Sequence, residues 1–272
     1  MTLDGPLESS ALAGKPMEFG VIDIHAHIGA LGIFHAPRPD AAGMLDVMER
    51  TGVKLACISA NDAILADMAI GNDLAAAAMR KYPGRFAPYA VANPNHPARV
   101  IGELKRCFDE HGFRMIKIHP SVHCTRLTDP AYDAVFDFAA RRGAPVLTHT
   151  WQGDEHCGID IAAETAQRHA GVSFLWGHSG GGEVRRALEA AAGLANVYLE
   201  LAASQVWSGR IETMTGNFPV ERIVWGSDFP FISLPQQLGQ VVFARISDEA
   251  KRMILSDNAQ RILTAAGVPC SD

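Results

Sequence analysis

The first pattern in the chain that could do chemistry is a run of alternating polar and apolar residues near its beginning. In "GVIDIHAHIG", Asp23, His25 and His27 are spaced two residues apart among Val and Ile. On an extended strand these three side chains would point to the same face. Because imidazole is the commonest metal ligand among side chains, the pattern favours a metal site over a solvated edge strand.

Further polar residues fall at the ends of other apolar runs. His119 ends "MIKIHP", His149 lies in "PVLTHTW", His178 in "SFLWGHS" and Asp228 in "VWGSDFPF". An unpaired buried polar side chain costs about 1–3 kcal/mol, so a set of this size implies a shared partner. A divalent cation with nitrogen and oxygen ligands fits this set best.

The elements that must position these residues alternate between β-rich and Ala-rich runs. The predicted strands are "VIDIHAH", "KLACISA", "FAPYAVAN", "MIKIHP", "PVLTHTW", "SFLWGHS", "VYLELAAS" and "RIVWGSDFP". The predicted helices are "DAAGMLDVMERTG", "NDLAAAAMRKYPG", "ARVIGELKRCFDEHG", "AYDAVFDFAARRG", "GEVRRALEAAAG" and a less distinct one within "SGRIETMTGNFPV". Several end in Gly after a basic residue, a common helix stop.

Eight strands alternating with helices predict an α/β protein with a single-domain (β/α)8 TIM barrel. An open doubly wound sheet is the rival fold, but the spaced glycines of its phosphate fingerprint are missing after the first strand. In a barrel, chemistry takes place at the carboxyl ends of the strands, which is where the histidines and Asp228 are expected.

Taken together, "DIHAH", the fifth-strand histidine, "GHSGG" and "GSDFP" resemble the amidohydrolase superfamily. The segments "YPGRFAPYAVANP", "GFRMIKIHPS" and "ILSDNAQRIL" resemble sequences of the amidohydrolase-related branch that includes aminocarboxymuconate-semialdehyde decarboxylase. The resemblance runs from about Val21 to Leu263, nearly the whole chain.

The resemblance implies one divalent metal ion, most commonly zinc, with manganese as the alternative. Matched residue by residue, its ligands would be His25, His27, His149 and Asp228, and His178 would be a catalytic residue. A metal on such ligands lowers the pKa of a bound water to about 7. Asp228 could then act as base and acid, and His178 as a donor to a developing oxyanion.

Lys117 on the fourth strand leaves the number of metal ions open. Two-metal members of the superfamily carry a carbamylated lysine on that strand. The resemblance to the one-metal branch favours a single ion, with Lys117 as an uncarbamylated group of the pocket.

The substrate pocket is predicted from residues that lie at or after strand ends, and an arginine among them could grip a substrate carboxylate. The predicted substrate-binding residues are Lys117, His119, Arg126, Trp151 and Trp207, with His35 and His123 as further pocket candidates. For Glu200 in "VYLELAAS" two interpretations stay open: it hydrogen-bonds a metal ligand, or it fills the barrel with a partner.

The motifs fit two reaction classes. The favoured one is a metal-dependent hydrolase acting on a small-molecule amide, lactone or ester. The alternative is a lyase that decarboxylates or hydrates an unsaturated or aromatic carboxylic acid. A binding protein or metal-free relative is disfavoured by the complete ligand set.

Composition sets the remaining bounds. The chain has 272 residues and a formal net charge of −6, and the absence of a basic cluster disfavours nucleic acid and anionic membranes as partners. We expect an N-terminal extension over residues 1–17 and a barrel over residues 18–272. No membrane span is expected. The expected partner is a small-molecule substrate, the expected location is the cytoplasm, and the composition is compatible with a homo-oligomer. Five cysteines without a CxxC pair argue against a disulfide framework.

Overall fold

The fold is a barrel of eight parallel strands. The computed structural model describes residues 5–269. Its strands pair in sequence order, and an isolated parallel bridge between Ala26 and Phe229 joins β1 to the segment that follows β8. The strands are β1 (Val21–Ile28), β2 (Val53–Ala60), β3 (Phe86–Val91), β4 (Met115–Ile118), β5 (Val146–His149), β6 (Phe174–Gly177), β7 (Val197–Glu200) and β8 (Ile223–Val224). The predicted (β/α)8 barrel is confirmed.

Helices fill the connections between the strands. They are α1 (Pro6–Leu12), α2 (Ala41–Thr51), α3 (Asn61–Leu65), α4 (Met68–Lys81), α5 (Pro97–Asp109), α6 (Pro120–His123), α7 (Asp133–Arg142), α8 (Ile159–Arg168), α9 (Val184–Ala192), α10 (Arg210–Asn217), α11 (Leu234–Val242), α12 (Asp248–Arg252) and α13 (Asn258–Ala265). A π-helical turn over Met253–Asp257 joins α12 to α13. Each of the six predicted helices corresponds to one of these.

The helix ends show which local signals are reliable. Gly52 after α2 and Gly143 after α7 have φ of 80° and 61°, the left-handed conformation that glycine adopts without strain. Sequence analysis assigned no helix to the segment that forms α8. That helix starts after Gly158 without a side-chain cap, and the residue after its end is His169 instead of a glycine.

The amino-terminal half of the barrel interior is apolar. Side chains from successive strands meet there, and α13 covers them from below with Ile262 and Leu263. The strand residues of this interior cluster are Ile22, Ile24, Leu55, Cys57, Ala87, Tyr89, Met115, Leu147, Leu175 and Val224. A larger apolar layer lies between the strands and the surrounding helices.

The described part of the N-terminal extension packs on the barrel. Glu8 on α1 is buried and forms an ion pair with the buried Lys251 of α12. The division into an extension and a barrel stays a prediction.

No disulfide joins any of the described cysteines, Cys57, Cys107, Cys124 and Cys157, while Cys270 lies outside the described residues. Within residues 5–269, no helix combines the length and apolar character that crossing a bilayer requires.

Candidate active site

Three predicted ligands converge at the carboxyl end of the barrel. His27 Nε2 lies 3.3 Å from His25 Nε2 and 3.1 Å from Asp228 Oδ1. His25 Nε2 lies 3.6 Å from the same oxygen. Both histidines are buried, so three potential ligand atoms lie together with little water around them.

The turn after β8 brings Asp228 to the two histidines. Asp228 has a φ of 56°, a conformation uncommon outside glycine but tolerated by aspartate. Its backbone N–H donates to the carbonyl of His25 at 2.8 Å, and His27 N–H donates to the carbonyl of Phe229 at 2.7 Å. Backbone bonds between β1 and the β8 turn therefore fix the position of this carboxylate.

Both histidines of β1 are oriented through their other ring nitrogen. His25 Nδ1 donates to Glu200 Oε2 at 3.0 Å, and Ser59 Oγ lies 3.1 Å from His27 Nδ1. Glu200 also accepts the backbone N–H of His178 at 2.9 Å. Of the two interpretations left open for Glu200, the structure shows the hydrogen bond to a predicted ligand.

His149 stands slightly apart from the three converging residues. Its ring stacks on that of His119 with the centroids 4.2 Å apart, and the ring of Trp151 also lies nearly parallel to it, with a centroid distance of 5.9 Å. Among the described residues, two groups of three have ligand atoms within 4.8 Å of one another: His25, His27 and Asp228, and His25, His178 and Glu200. His149 belongs to neither group, and its role as a ligand stays a prediction.

His178 presents one ring nitrogen to the pocket. Its Nδ1 donates to the carbonyl of Ala202 at 2.8 Å, and its backbone has a φ of 68°. Burial lowers the pKa of His178 to about 4, so the ring is neutral and its Nε2 is an acceptor. In the metal-free protein this ring therefore offers a lone pair to the pocket, and the catalytic role expected for His178 stays a prediction.

Lys117 reaches the same cluster from β4. Its Nζ lies 3.1 Å from His25 Nε2, and the side chain is buried. Burial lowers the pKa of Lys117 to about 8, against the attraction of Asp228 and Glu200. The amine is therefore mostly protonated at neutral pH and provides a cationic charge at the pocket floor.

The protonation states of the converging residues suit a cation. Burial and the charge of Lys117 hold the pKa of His25 well below its usual value, so that the imidazole is neutral. Burial opposes ionisation of Asp228, but the hydrogen bond with His27 and the positive charge of Lys117 lower its pKa. Two neutral imidazoles and a carboxylate within 3.6 Å are a donor set that fits a divalent cation.

A pocket with a volume of about 590 Å³ opens above these residues. Lys117, His119, His149, Trp151 and His178 line it, as do the three converging residues. Nine apolar side chains also line the pocket, and of these only Trp151 was predicted from the sequence. They are Leu31, Ile33, Phe34, Ile64, Leu65, Val122, Trp151, Phe231 and Ile232. The sequence feature that could have indicated this apolar lining is the presence of apolar pairs within connections, such as Ile33–Phe34 after β1.

Two predicted substrate-binding residues do not reach this pocket. Arg126 is exposed, hydrogen-bonds Thr128 Oγ1 and the carbonyl of Glu155, and lines a separate polar groove. Trp207 is 43% exposed and is not part of the lining. Both follow strands along the chain, but their connections carry them away from the barrel axis.

Three other polar residues also lie outside the lining. Asp23 is buried beside the cluster, where its carboxylate accepts the hydroxyl and N–H of Ser227, and the register of β1 is irregular between Asp23 and Ala26. A strictly alternating face therefore does not hold for Asp23. His123 is buried with its Nε2 on the carbonyl of Ile64, and His35 is exposed.

Known structures share this architecture. A 2,6-dihydroxybenzoate decarboxylase from Rhizobium superposes with a TM-score of 0.73 at 16% identity, covering 90% of this chain and 98% of that one. A 4-oxalomesaconate hydratase from Rhodopseudomonas palustris gives 0.68 at 16%, with 91% and 96% covered. A dihydroxybenzoic acid decarboxylase from a Polaromonas species, with bound manganese and the inhibitor 2-nitroresorcinol, gives 0.73 at 14%, with 90% and 97% covered. At these identities the likeness establishes the fold.

Family membership rests on the sequence itself. The model of the family described as amidohydrolase matches residues 22–264, which span β1 to the last helix. The matched segment contains each of the converging residues and nearly all of the barrel. The chain therefore belongs to the amidohydrolase family.

Proposed function

We propose that the protein is a metal-dependent lyase that removes CO2 from an aromatic carboxylic acid. The observation that carries this proposal is the placement of charge in the pocket. The converging residues and Lys117 lie at its floor, and nine apolar side chains line it. Such a pocket suits a flat acid whose carboxylate meets the floor while its ring contacts the walls.

The residues that would hold the metal are His25, His27 and Asp228, with His149 as the fourth ligand expected from the family. When bound, a divalent cation would supply Lewis-acid charge that stabilises negative charge on substrate oxygens. Glu200 and Ser59 would keep the two β1 imidazoles in the required orientation, as partners of the nitrogens that face away from the pocket.

The protein's own groups account for binding and proton transfer. Lys117 would bind the substrate carboxylate through its ammonium group. Asp228, ionised at neutral pH, would take a proton from a substrate hydroxyl and return it to the ring carbon. The bond between that carbon and the carboxylate breaks, its electron pair stays on the ring carbon, and CO2 leaves. The apolar walls exclude water from the carbanionic carbon.

The comparisons support a lyase at least as well as the hydrolase favoured by the sequence. Two of the similar structures are named decarboxylases and one a hydratase, and the decarboxylase with manganese holds a ring compound as inhibitor. The family description, amidohydrolase, supports the hydrolase only at the level of the family. Manganese is accordingly a candidate metal beside zinc.

The test is an assay of the manganese-loaded and zinc-loaded protein with 2,6-dihydroxybenzoate and related hydroxybenzoates, following CO2 and the decarboxylated ring. We expect CO2 and ring product in equal amounts, and their loss in Asp228→Asn. A parallel set of lactones and amides is the control. Acid release from that set without CO2 from any benzoate would replace the lyase with a hydrolase.

A further inference from the structure

We propose that the substrate is a monocarboxylic acid with an apolar body longer than one aromatic ring, whose far end lies at the pocket mouth beside Phe34. This inference rests on the proposed function, because it takes the carboxylate to be bound at the floor. It adds the shape and charge of the rest of the substrate.

A line of rings connects the floor to the mouth. The ring of Phe231 lies 4.9 Å from that of His27, centroid to centroid, and stacks on Phe34 at 5.1 Å with an interplanar angle of 27°. Phe34 is 45% exposed. The apolar wall therefore continues from a candidate metal ligand to the solvent, farther than the contact of a single ring at the floor.

The mouth itself is unusually apolar for a surface. Ile33, Leu65 and Val122 line the pocket and are 82%, 49% and 40% exposed. They come from three separate connections, after β1, β2 and β4, and converge on one rim. Clusters of exposed apolar side chains mark binding surfaces, and this one is continuous with the pocket.

Positive charge is confined to the floor. Lys117 is the one lysine or arginine of the pocket lining within residues 5–269, and it contacts His25. The lining also includes Asp154, which the backbone N–H groups of His156 and Cys157 hold in place. Apart from the neutral Asn61, Ser121 and Ser204, the lining beyond the floor is apolar or carries this like charge, so a second carboxylate on the substrate would lack a cationic partner, at a cost in binding.

The volume agrees with a longer body. At about 590 Å³ the pocket falls within the range of 300–1,000 Å³ that holds drug-sized ligands. A second copy of the chain is the other occupant that could cover the exposed rim, and the test separates the two.

The experiment measures binding to the manganese-loaded protein by calorimetry, with benzoate, 4-butylbenzoate and benzene-1,4-dicarboxylate as probes. We expect 4-butylbenzoate to bind at least tenfold more tightly than benzoate, about the gain from burying two of its four extra carbons. Benzene-1,4-dicarboxylate should bind more weakly than benzoate.

Variants locate the gain. Phe34→Ser and Leu65→Ser should each reduce the preference for 4-butylbenzoate over benzoate, measured as the ratio of the two dissociation constants, to a few-fold. Leu74→Ser is the matched control, because Leu74 is 46% exposed, close to the 49% of Leu65, and lies outside the pocket lining. Its preference should equal that of the wild type.

The outcomes distinguish this inference from the proposed function. Benzoate binding without a gain for 4-butylbenzoate, or equal affinity for the dicarboxylate, overturns the inference alone. The inference is also overturned if both variants keep the tighter binding of 4-butylbenzoate but light scattering shows that their oligomeric mass is lower than that of the wild type. That result would assign the rim to contact with a second copy of the chain. If none of the three acids binds, the proposed function fails with it.

Discussion

The two halves of the barrel interior are built by the same strands and contain opposite chemistry. On β4 the change occurs between Met115, in the apolar cluster, and Lys117 at the pocket floor. On β5 it occurs between Leu147 and His149. Two residues along a strand rise about 6.6 Å, so one layer separates a packed core from a polar site.

Stability and function are divided between the lower and the upper half of the barrel interior. Apolar burial in the lower half stabilises the fold, while each buried polar group of the upper half is costly unless it has a partner. The buried imidazole of His25, for example, has hydrogen-bond partners in Glu200 and Lys117, which offset the cost of its burial. Substitutions in the lower half should therefore reduce stability, and those in the upper half should reduce metal binding and activity.

The largest expected effect comes from removing a ligand in the upper half. His27→Ala should lower kcat/KM by more than about 10³-fold, because it removes a metal ligand and the partner of Asp228. The control is His96→Ala, an exposed histidine before α5. Steady-state kinetics check this, and a His27→Ala rate within tenfold of the wild type would contradict the site.

A core truncation in the lower half should act on stability instead. Leu147→Ala removes a fully buried side chain and should lower the free energy of unfolding by about 2–5 kcal/mol. Denaturant unfolding measures the loss, and kcat should stay near the wild-type value at a temperature where the variant is folded. A large loss of kcat with unchanged stability would show that the two halves are not separable.

A smaller effect is expected where a side chain only orients a ligand. Glu200→Gln weakens the hydrogen bond with His25 Nδ1 and should lower metal affinity about 10–100-fold. Glu164→Gln is the matched control, because Glu164 is an exposed glutamate on α8. Titration with a competing chelator measures both, and equal affinities would show that Glu200 has no effect on the metal.

The last expected effect is a titration. Burial lowers the pKa of His178 and of His123 to about 4 from 6.5, so the unfolded chain binds more protons between these pH values. Each such histidine should reduce the stability of the metal-free protein by about 1.4 kcal/mol per pH unit as the pH falls through this window. His178→Asn should reduce the slope by about one proton, and Leu147→Ala should leave it unchanged. The buried carboxyls Asp23 and Glu200, whose pKa values burial raises to about 7 and about 8, contribute with the opposite sign, so the test is the difference between the variant and the wild type. Equal slopes in the wild type and His178→Asn between pH 6.5 and 4 would contradict the assignment to His178.

Much of this arrangement follows from local sequence patterns. Alternation of apolar residues predicts the strands, and the carboxyl-end rule places His25, His27, His178 and Asp228 on one rim. Glu200 could not be assigned, because its hydrogen bond to His25 joins residues 175 positions apart. Such pairings depend on how the barrel closes.

Other parts depend on the paths of connections, which side-chain types do not determine. Arg126 and Trp207 follow strands as pocket residues do, yet their backbones lead them elsewhere. The hydrogen bond from His178 Nδ1 to the carbonyl of Ala202 joins two different connections and was likewise not predicted. The apolar wall around Phe34 was not predicted, because its residues come from separate connections that meet only in the closed barrel.

The central claim is that His25, His27 and Asp228 bind one divalent cation, and metal analysis of the purified protein tests it most directly. After loading with manganese or zinc and removal of excess metal, the wild type should hold one equivalent, and His25→Ala should hold almost none. Lys117→Met should still hold one, since Lys117 is expected to be an uncarbamylated pocket group. Full occupancy in His25→Ala, or a wild type that takes up no metal, would contradict the site, and two equivalents that drop in Lys117→Met would contradict the single ion.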